Sequence, residues 1–203
     1  MTPSERATTV AANLFARKGY DGTSTRELAE ALGVTKGTFY HHFPSKEDLL
    51  MQICDESLTR ISAAALEAME SAAGSLGRLE SLVRQHVLTM LADQALHKTM
   101  LIELRSLSVP NYDRVVALRD AYSDVIRNAI GACQIEGTLD SSVDAHLLSL
   151  LLLNLLNWTI FWYQPTGEHS PEQIADASVA TFFEGWLGEH SARGRRDACP
   201  LSD

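Results

Sequence analysis

Apolar side chains recur along this chain at helical spacing, and no stretch alternates as a strand would. In residues 4–18, Val10, Ala11, Leu14 and Phe15 share one face, and Gly19 follows as a terminator. Ser24, with Glu27 three residues later, forms a capping-box signal for "TRELAEAL", and Gly33 ends that second, two-turn helix. After a "GVT" link a third short helix is predicted over residues 36–43, stopped near Pro44. Ser45 and Asp48 then open a much longer helix, residues 46–72. Two short helices joined by a three-residue glycine-containing turn and braced on both sides have the outline of a helix-turn-helix.

Beyond "AAGSLG" the pattern predicts helices over residues 76–92, 96–107, 112–135, 143–163 and 171–187. The separators "SVPN", "EGTLDSS" and "QPTGEHS" are turn-rich and short. Ser170, Pro171 and Gln173 make a strong start signal for the last helix. The expected fold is all-α, about nine helices: a small N-terminal domain over residues 1–50, a larger one over 51–190, and a disordered tail from 191 to 203.

Charge divides along the same line. The chain carries a formal net charge of -9, yet residues 1–50 hold six basic and six acidic side chains, so the whole excess lies in the body. An acidic body suits nucleic acid poorly, so a nucleic-acid role must sit in the first fifty residues. The three cysteines, Cys54, Cys133 and Cys199, are far apart and match neither a disulfide framework nor a metal spacing. No basic-then-apolar leader opens the chain, and a reducing cytoplasmic setting is expected. The one long apolar run, residues 147–163, is short for a membrane span and carries Ser149, Asn154, Asn157 and Thr159, so a buried helix is expected there.

Candidate chemistry is concentrated in "GVTKGTFYHHFPSKEDLL", residues 33–50. His41 and His42 are adjacent, whereas two ligands on one helix face need a spacing of three or four, so no metal is expected. No HExxH, GxSxG or GxxxxGK[ST] motif is present, and an enzyme is not expected. A helix entering the major groove must present small or hydrogen-bonding residues at its N-terminal end. Thr35, Lys36, Gly37 and Thr38 meet that need.

The stretch "AANLFARKGYDGTSTRELAEALGVTKGTFYHHFPSKEDLL", residues 11–50, resembles the N-terminal pattern of the TetR family of one-component transcriptional regulators. The resemblance implies an all-helical homodimer with an N-terminal DNA-binding domain and a C-terminal ligand-binding and dimerisation domain, acting without a cofactor on a pseudo-palindromic double-stranded operator. Repression is the family's commoner mode. It implies DNA contacts from Thr25, Lys36, Thr38, Tyr40, His41 and Lys46, with Arg26 and Thr35 beside them. Phe39 and Phe43 are assigned to the small domain's core against Leu14, Phe15, Leu28 and Leu49.

The segment "VDAHLLSLLLLNLLNWTIFWY" is apolar on nearly all faces and as a helix needs burial on all sides. A symmetry mate supplies it, in the family's usual four-helix arrangement with "PEQIADASVATFFEGWL". Leu150, Leu153, Phe182, Phe183 and Trp186 are the interface candidates.

The run "LLNWTIFWYQPTGEHSPEQIA" resembles a subgroup of TetR-like regulators of fatty-acid, steroid-ring and aromatic-acid degradation, whose effectors are often acyl-CoA thioesters. A small hydrophobic effector of that kind is expected, the alternative being an aromatic acid or another xenobiotic. Asn154, Asn157, Trp158 and Phe161 can place amides and rings along one helix for an apolar ligand with a polar head. Met90, Met100, Leu104 and Tyr122 are candidate walls. Arg105, Arg119 and Arg127 are candidate partners for a phosphate or carboxylate.

Overall fold

The computed structural model describes residues 3–183. Among them are nine α-helices and no strand: α1 (Pro3–Lys18), α2 (Thr25–Leu32), α3 (Lys36–His42), α4 (Lys46–Glu70), α5 (Gly74–Ala92), α6 (Gln94–Glu103), α7 (Val109–Ile135), α8 (Ala145–Trp162) and α9 (Pro171–Phe183). The predicted end of α9, with Trp186, and the tail lie outside the described residues.

Local chemistry sets most boundaries. Ser24 Oγ accepts from Glu27 N–H while the Glu27 carboxylate accepts from Ser24 N–H, which satisfies donors that the first helical turn cannot pair. Gly33 closes α2 at φ 71°, a left-handed conformation that a side chain resists. Ser170 and Gln173 cap α9 in the same reciprocal way.

Two boundaries differ from expectation. The stretch "SVPN" is not a separator, because α7 begins at Val109 with Pro110 in its first turn, where the missing N–H has no helical partner to lose. The helix expected over residues 96–107 is α6, starting earlier on the Asp93 cap, followed by a separate 3-10 turn, Leu104–Ser106.

The apolar interior forms two clusters, and the first does not stop at residue 50. Phe15, Leu28, Phe39, Phe43 and Leu49 of the head pack with Leu96, Met100 and Leu104 from α6 and the turn after it. The second cluster joins α4, α5, α7, α8 and α9. The head therefore sits on α6 as a continuation of a packed core. Two hydrogen bonds fix that seat: Thr99 Oγ1 donates to the Ala12 carbonyl at 3.1 Å, and the Tyr20 N–H donates to Glu103 Oε1 at 3.1 Å.

Within one chain, helix α8 is buried along one face only. Leu152, Leu156 and Ile160 are buried, and the hydroxyls of Ser149 and Thr159 bond back to carbonyls of their own helix. The opposite stripe, Leu147, Leu151, Leu155, Trp158 and Trp162, is exposed, with Trp158 at 65% and Leu151 at 55%. The helix is apolar enough to span a membrane by composition, but its 18 residues reach only roughly 27 Å, and in the body it packs against α5, α6, α7 and α9.

Candidate nucleic-acid interface and internal cavity

Helix α3 is held by two aromatic anchors and offers the rest of its surface to solvent. Phe39 and Phe43 are buried, with ring centroids 5.5 Å apart. Thr35 caps the helix by accepting from Thr38 N–H at 3.1 Å, and the two threonine hydroxyls lie 2.9 Å apart. Lys36, Gly37, Thr38, Tyr40, His41 and His42 are all exposed. The Tyr40 hydroxyl meets Thr25 Oγ1 at 3.2 Å, tying the start of α2 to the middle of α3. A methyl group built at Gly37 would meet nothing closer than Thr35 Oγ1 at 3.8 Å, so no neighbour in the fold requires a glycine there.

The remaining predicted DNA contacts are partly engaged within the protein. Arg26 pairs with Glu30 one turn on, at 2.8 Å, with its side chain 84% exposed. Lys46 donates to the carbonyls of Tyr20 at 2.8 Å and Thr23 at 3.0 Å, and its ammonium sits 4.0 Å from the Tyr20 ring centroid. Two of its three N–H donors thus brace the α1–α2 turn, and one is left over. At the start of α2 the Glu27 carboxylate is held well below its usual range, to about 2, by the Lys18 ammonium first and then by Ser24. That carboxylate takes part of the anion-binding capacity of the helix terminus.

Next to Lys46, Glu47 links the start of α4 to the start of α7. Its Oε1 accepts from Ser108 Oγ at 2.6 Å, Ser108 N–H at 2.8 Å and Asn111 Nδ2 at 2.6 Å. The Ser108 hydroxyl and then the Asn111 amide hold this carboxyl below its ordinary value.

In the body a cavity of about 260 Å³ opens between α4, α5, α6, α7 and α8. Its apolar wall comes from Leu58, Ile61, Met90, Met100, Leu101, Leu150 and Leu153, and its polar groups are His86, Asn157, Tyr112, Arg119, Asp120, Tyr122 and Ser123. His86 Nδ1 lies 2.8 Å from the Tyr122 hydroxyl and His86 Nε2 lies 3.2 Å from Asn157 Oδ1. Burial first, and then the proximity of His97, pushes His86 down to about 3, so the imidazole is neutral near pH 7. Burial likewise raises the Tyr122 phenol. Arg119 is exposed and lines the cavity, whereas Arg127 pairs with Asp124 at 3.0 Å.

The predicted ligand residues divide accordingly. Met90, Tyr122 and Asn157 line the cavity together with Met100 and Arg119. Leu104 does not, being buried in the head's cluster, and Arg105 projects to solvent from the 3-10 turn. Asn154 and Trp158 face a separate surface groove of about 500 Å³ between α8 and α9, shared with Leu155, Trp162, Gln173 and Ala177. Phe161 lines neither site and packs against Trp158 with ring centroids 4.9 Å apart and the planes tilted by 42°. Of the predicted interface residues, Leu150 and Leu153 point to the cavity, and Phe182 and Phe183 pack against the second core. The sequence reading missed His86. Its signal was a lone histidine in the apolar stripe "QHVLTM", where the partners stand 36 and 71 residues away.

Comparison with known proteins agrees with both halves of this architecture. The family model of bacterial regulatory proteins of the tetR family matches residues 8–53, and that of the tetracyclin repressor-like C-terminal domain matches residues 73–186. The HTH-type transcriptional repressor KstR2 of Rhodococcus jostii is 26% identical over 186 residues, covering 90% of this chain and 90% of that protein. The TetR family regulator PfmR from Thermus thermophilus superposes with a TM-score of 0.84 at 33% identity, over 90% of this chain and 100% of that one. AibR, solved in complex with isovaleryl coenzyme A and operator DNA, gives a TM-score of 0.80 at 26% identity, over 90% and 98%. With the C-terminal model alone spanning more than half of the chain, the protein belongs to the TetR family of ligand-responsive, DNA-binding transcriptional regulators.

Proposed function

We propose that this protein is a homodimeric repressor that leaves a pseudo-palindromic operator when an acyl-CoA thioester enters the cavity of each body. The DNA half of the reading rests on α3, whose exposed end carries Thr35, Lys36, Gly37, Thr38, Tyr40 and His41. Gly37 supports it most directly. Glycine weakens a helix by ~1 kcal/mol relative to alanine, and no neighbour within the fold calls for it. Close approach to a phosphate or base edge does. Thr25 and Arg26 at the start of α2, and the remaining N–H of Lys46, flank the same surface.

The effector half is carried by one observation, the cavity with a buried polar relay in an apolar wall. At about 260 Å³ it suits a short acyl group or a single ring, with the bulk of a larger ligand left at the mouth beside Arg119. AibR's capture with isovaleryl coenzyme A brings a branched short acyl chain into consideration. Dimerisation is assigned to the exposed stripe of α8 and its groove with α9, since solvent-exposed leucines and tryptophans in one row mark an association surface.

Coupling runs through the wall shared by α4 and α7. Leu58 and Ile61 of α4 face Tyr112, Val116 and Arg119 of α7 across the cavity, and Glu47 joins the two helices at their DNA end. An occupant that spreads the helices strains this clamp beside Lys46, which braces the α1–α2 turn. The two heads then lose the ~34–36 Å spacing of successive major grooves. Electrophoretic retardation of a fragment containing the operator, titrated with isovaleryl-CoA, tests the reading. Release of DNA by micromolar thioester is expected. Operator affinity indifferent to every CoA thioester tried would remove this effector class.

A further inference from the structure

The cavity's polar relay has a direction, and that direction specifies what the effector must carry. The Tyr122 hydroxyl is buried, and its one hydrogen-bond partner among the described residues is His86 Nδ1. A buried hydroxyl is satisfied when its proton is donated, so Tyr122 donates to Nδ1 and that nitrogen is bare. The neutral imidazole then carries its single proton on Nε2, which is donated to Asn157 Oδ1 at 3.2 Å. The Asn157 carbonyl is occupied and its Nδ2 amino group faces away from the imidazole. That amino group has no protein partner among the described residues, on a residue that lines the cavity.

From this juxtaposition we infer that Asn157 is the residue that reads the effector, its Nδ2 donating to a carbonyl oxygen embedded in the ligand's apolar part. His86 and Tyr122 are positioning residues, which hold the amide with its donors toward the cavity. The inference deepens the acyl-CoA reading, because a thioester places a single carbonyl between an apolar chain and a polar carrier. It also excludes pure hydrocarbons as strong effectors, since an occupant without an acceptor leaves the amide donors dry and unpaired.

Two matched pairs of probes test it. Isovaleryl-CoA is compared with S-(3-methylbutyl)-CoA, the thioether lacking the carbonyl, and 4-methylpentan-2-one with 2,4-dimethylpentane, its hydrocarbon isostere. Binding is read by thermal shift and by the side-chain amide signal of Asn157 in 15N–1H spectra. The carbonyl member of each pair is expected to bind on the order of tenfold tighter and to move the Asn157 amide signal. Asn157→Asp keeps an acceptor for His86 while removing the donors, and Asn157→Leu removes both. Either variant is expected to abolish the preference, whereas a purely structural role would lower the melting temperature and leave the preference intact. Equal binding of ketone and hydrocarbon, or failure of both to enter the cavity, overturns the inference. Preference for the ketone with no response to either CoA compound leaves it standing and removes only the acyl-CoA reading.

Discussion

Tyr40 and Thr25 meet across the helix-turn-helix, hydroxyl to hydroxyl at 3.2 Å, fifteen residues apart in sequence. The contact locks the exposed side of the recognition helix to the N-terminus of α2, so both helices present one rigid surface. Tyr40→Phe and Thr25→Ala are each expected to weaken operator binding about fivefold, the worth of roughly one hydrogen bond. In a double-mutant cycle the pair should be non-additive, because each change removes the same contact. Fully additive losses, measured by fluorescence anisotropy, would show that the two residues act separately.

Gly37 offers a trade between stability and function. Gly37→Ala is expected to stabilise the fold by up to ~1 kcal/mol, since helical alanine has less backbone entropy to lose and meets no close neighbour. The same methyl group stands between α3 and the groove, so operator affinity should fall on the order of tenfold. A variant that melts higher and binds DNA as well as the parent would sink the close-approach reading.

The Glu47 clamp is expected to carry coupling more than stability. Glu47→Ala removes three hydrogen bonds to one carboxylate at a partly exposed site, which costs about 1 kcal/mol, or roughly 2–4 °C in melting temperature. The informative readout is the ratio of operator affinities without and with isovaleryl-CoA, which should move toward one. An unchanged ratio in a folded, DNA-binding variant places the coupling elsewhere.

Acid sensitivity follows from two buried histidines. Burial is the first cause for each, pushing His86 to about 3 and His97 to about 4, against 6.5 in the unfolded chain. Below pH 6.5 the unfolded state therefore binds protons that the folded state refuses. Stability is full above about pH 6.5 and is lost as pH falls toward the folded values. At pH 5 each histidine contributes about 2 kcal/mol of that loss. Denaturant unfolding at pH 7 and pH 5 measures it, and His86→Gln should reduce the pH dependence by about one proton. No difference in slope between His86→Gln and the parent would mean that His86 does not titrate in this range.

A charged residue in the exposed stripe tests the proposed association surface. Leu151→Glu lies on the far side of α8 from the buried Ile160, so the fold of one chain should tolerate it. Light scattering after size exclusion should report a monomer, with retardation of the operator lost. A dimer that persists points to another face.

Helix existence and the recognition helix were legible because their causes are local. Ser24 and Glu27, Ser170 and Gln173, and Gly33 act within four residues of one another, and the alternation of Phe39 and Phe43 with Lys36, Thr38 and Tyr40 separates core from surface on α3 alone. Boundaries failed where a local signal was ambiguous. Pro110 reads as a breaker but is equally at home in a first helical turn, and there the Ser108 side chain bonds Glu47 across the fold.

What the sequence by itself determined is the all-helical order, the helix-turn-helix and the neutral head on an acidic body, since periodicity, capping and charge count need no partner distant in the chain. Tertiary packing alone decided which residues share a site. It drew Leu104 into the head's core, turned Leu150 and Leu153 toward the cavity and set Lys46 on the α1–α2 turn. It also brought His86, Tyr122 and Asn157 from three helices into one relay. Helix α8 is apolar almost all round, so its pattern could not say which side faces the core; the positions of α5, α6, α7 and α9 against it do.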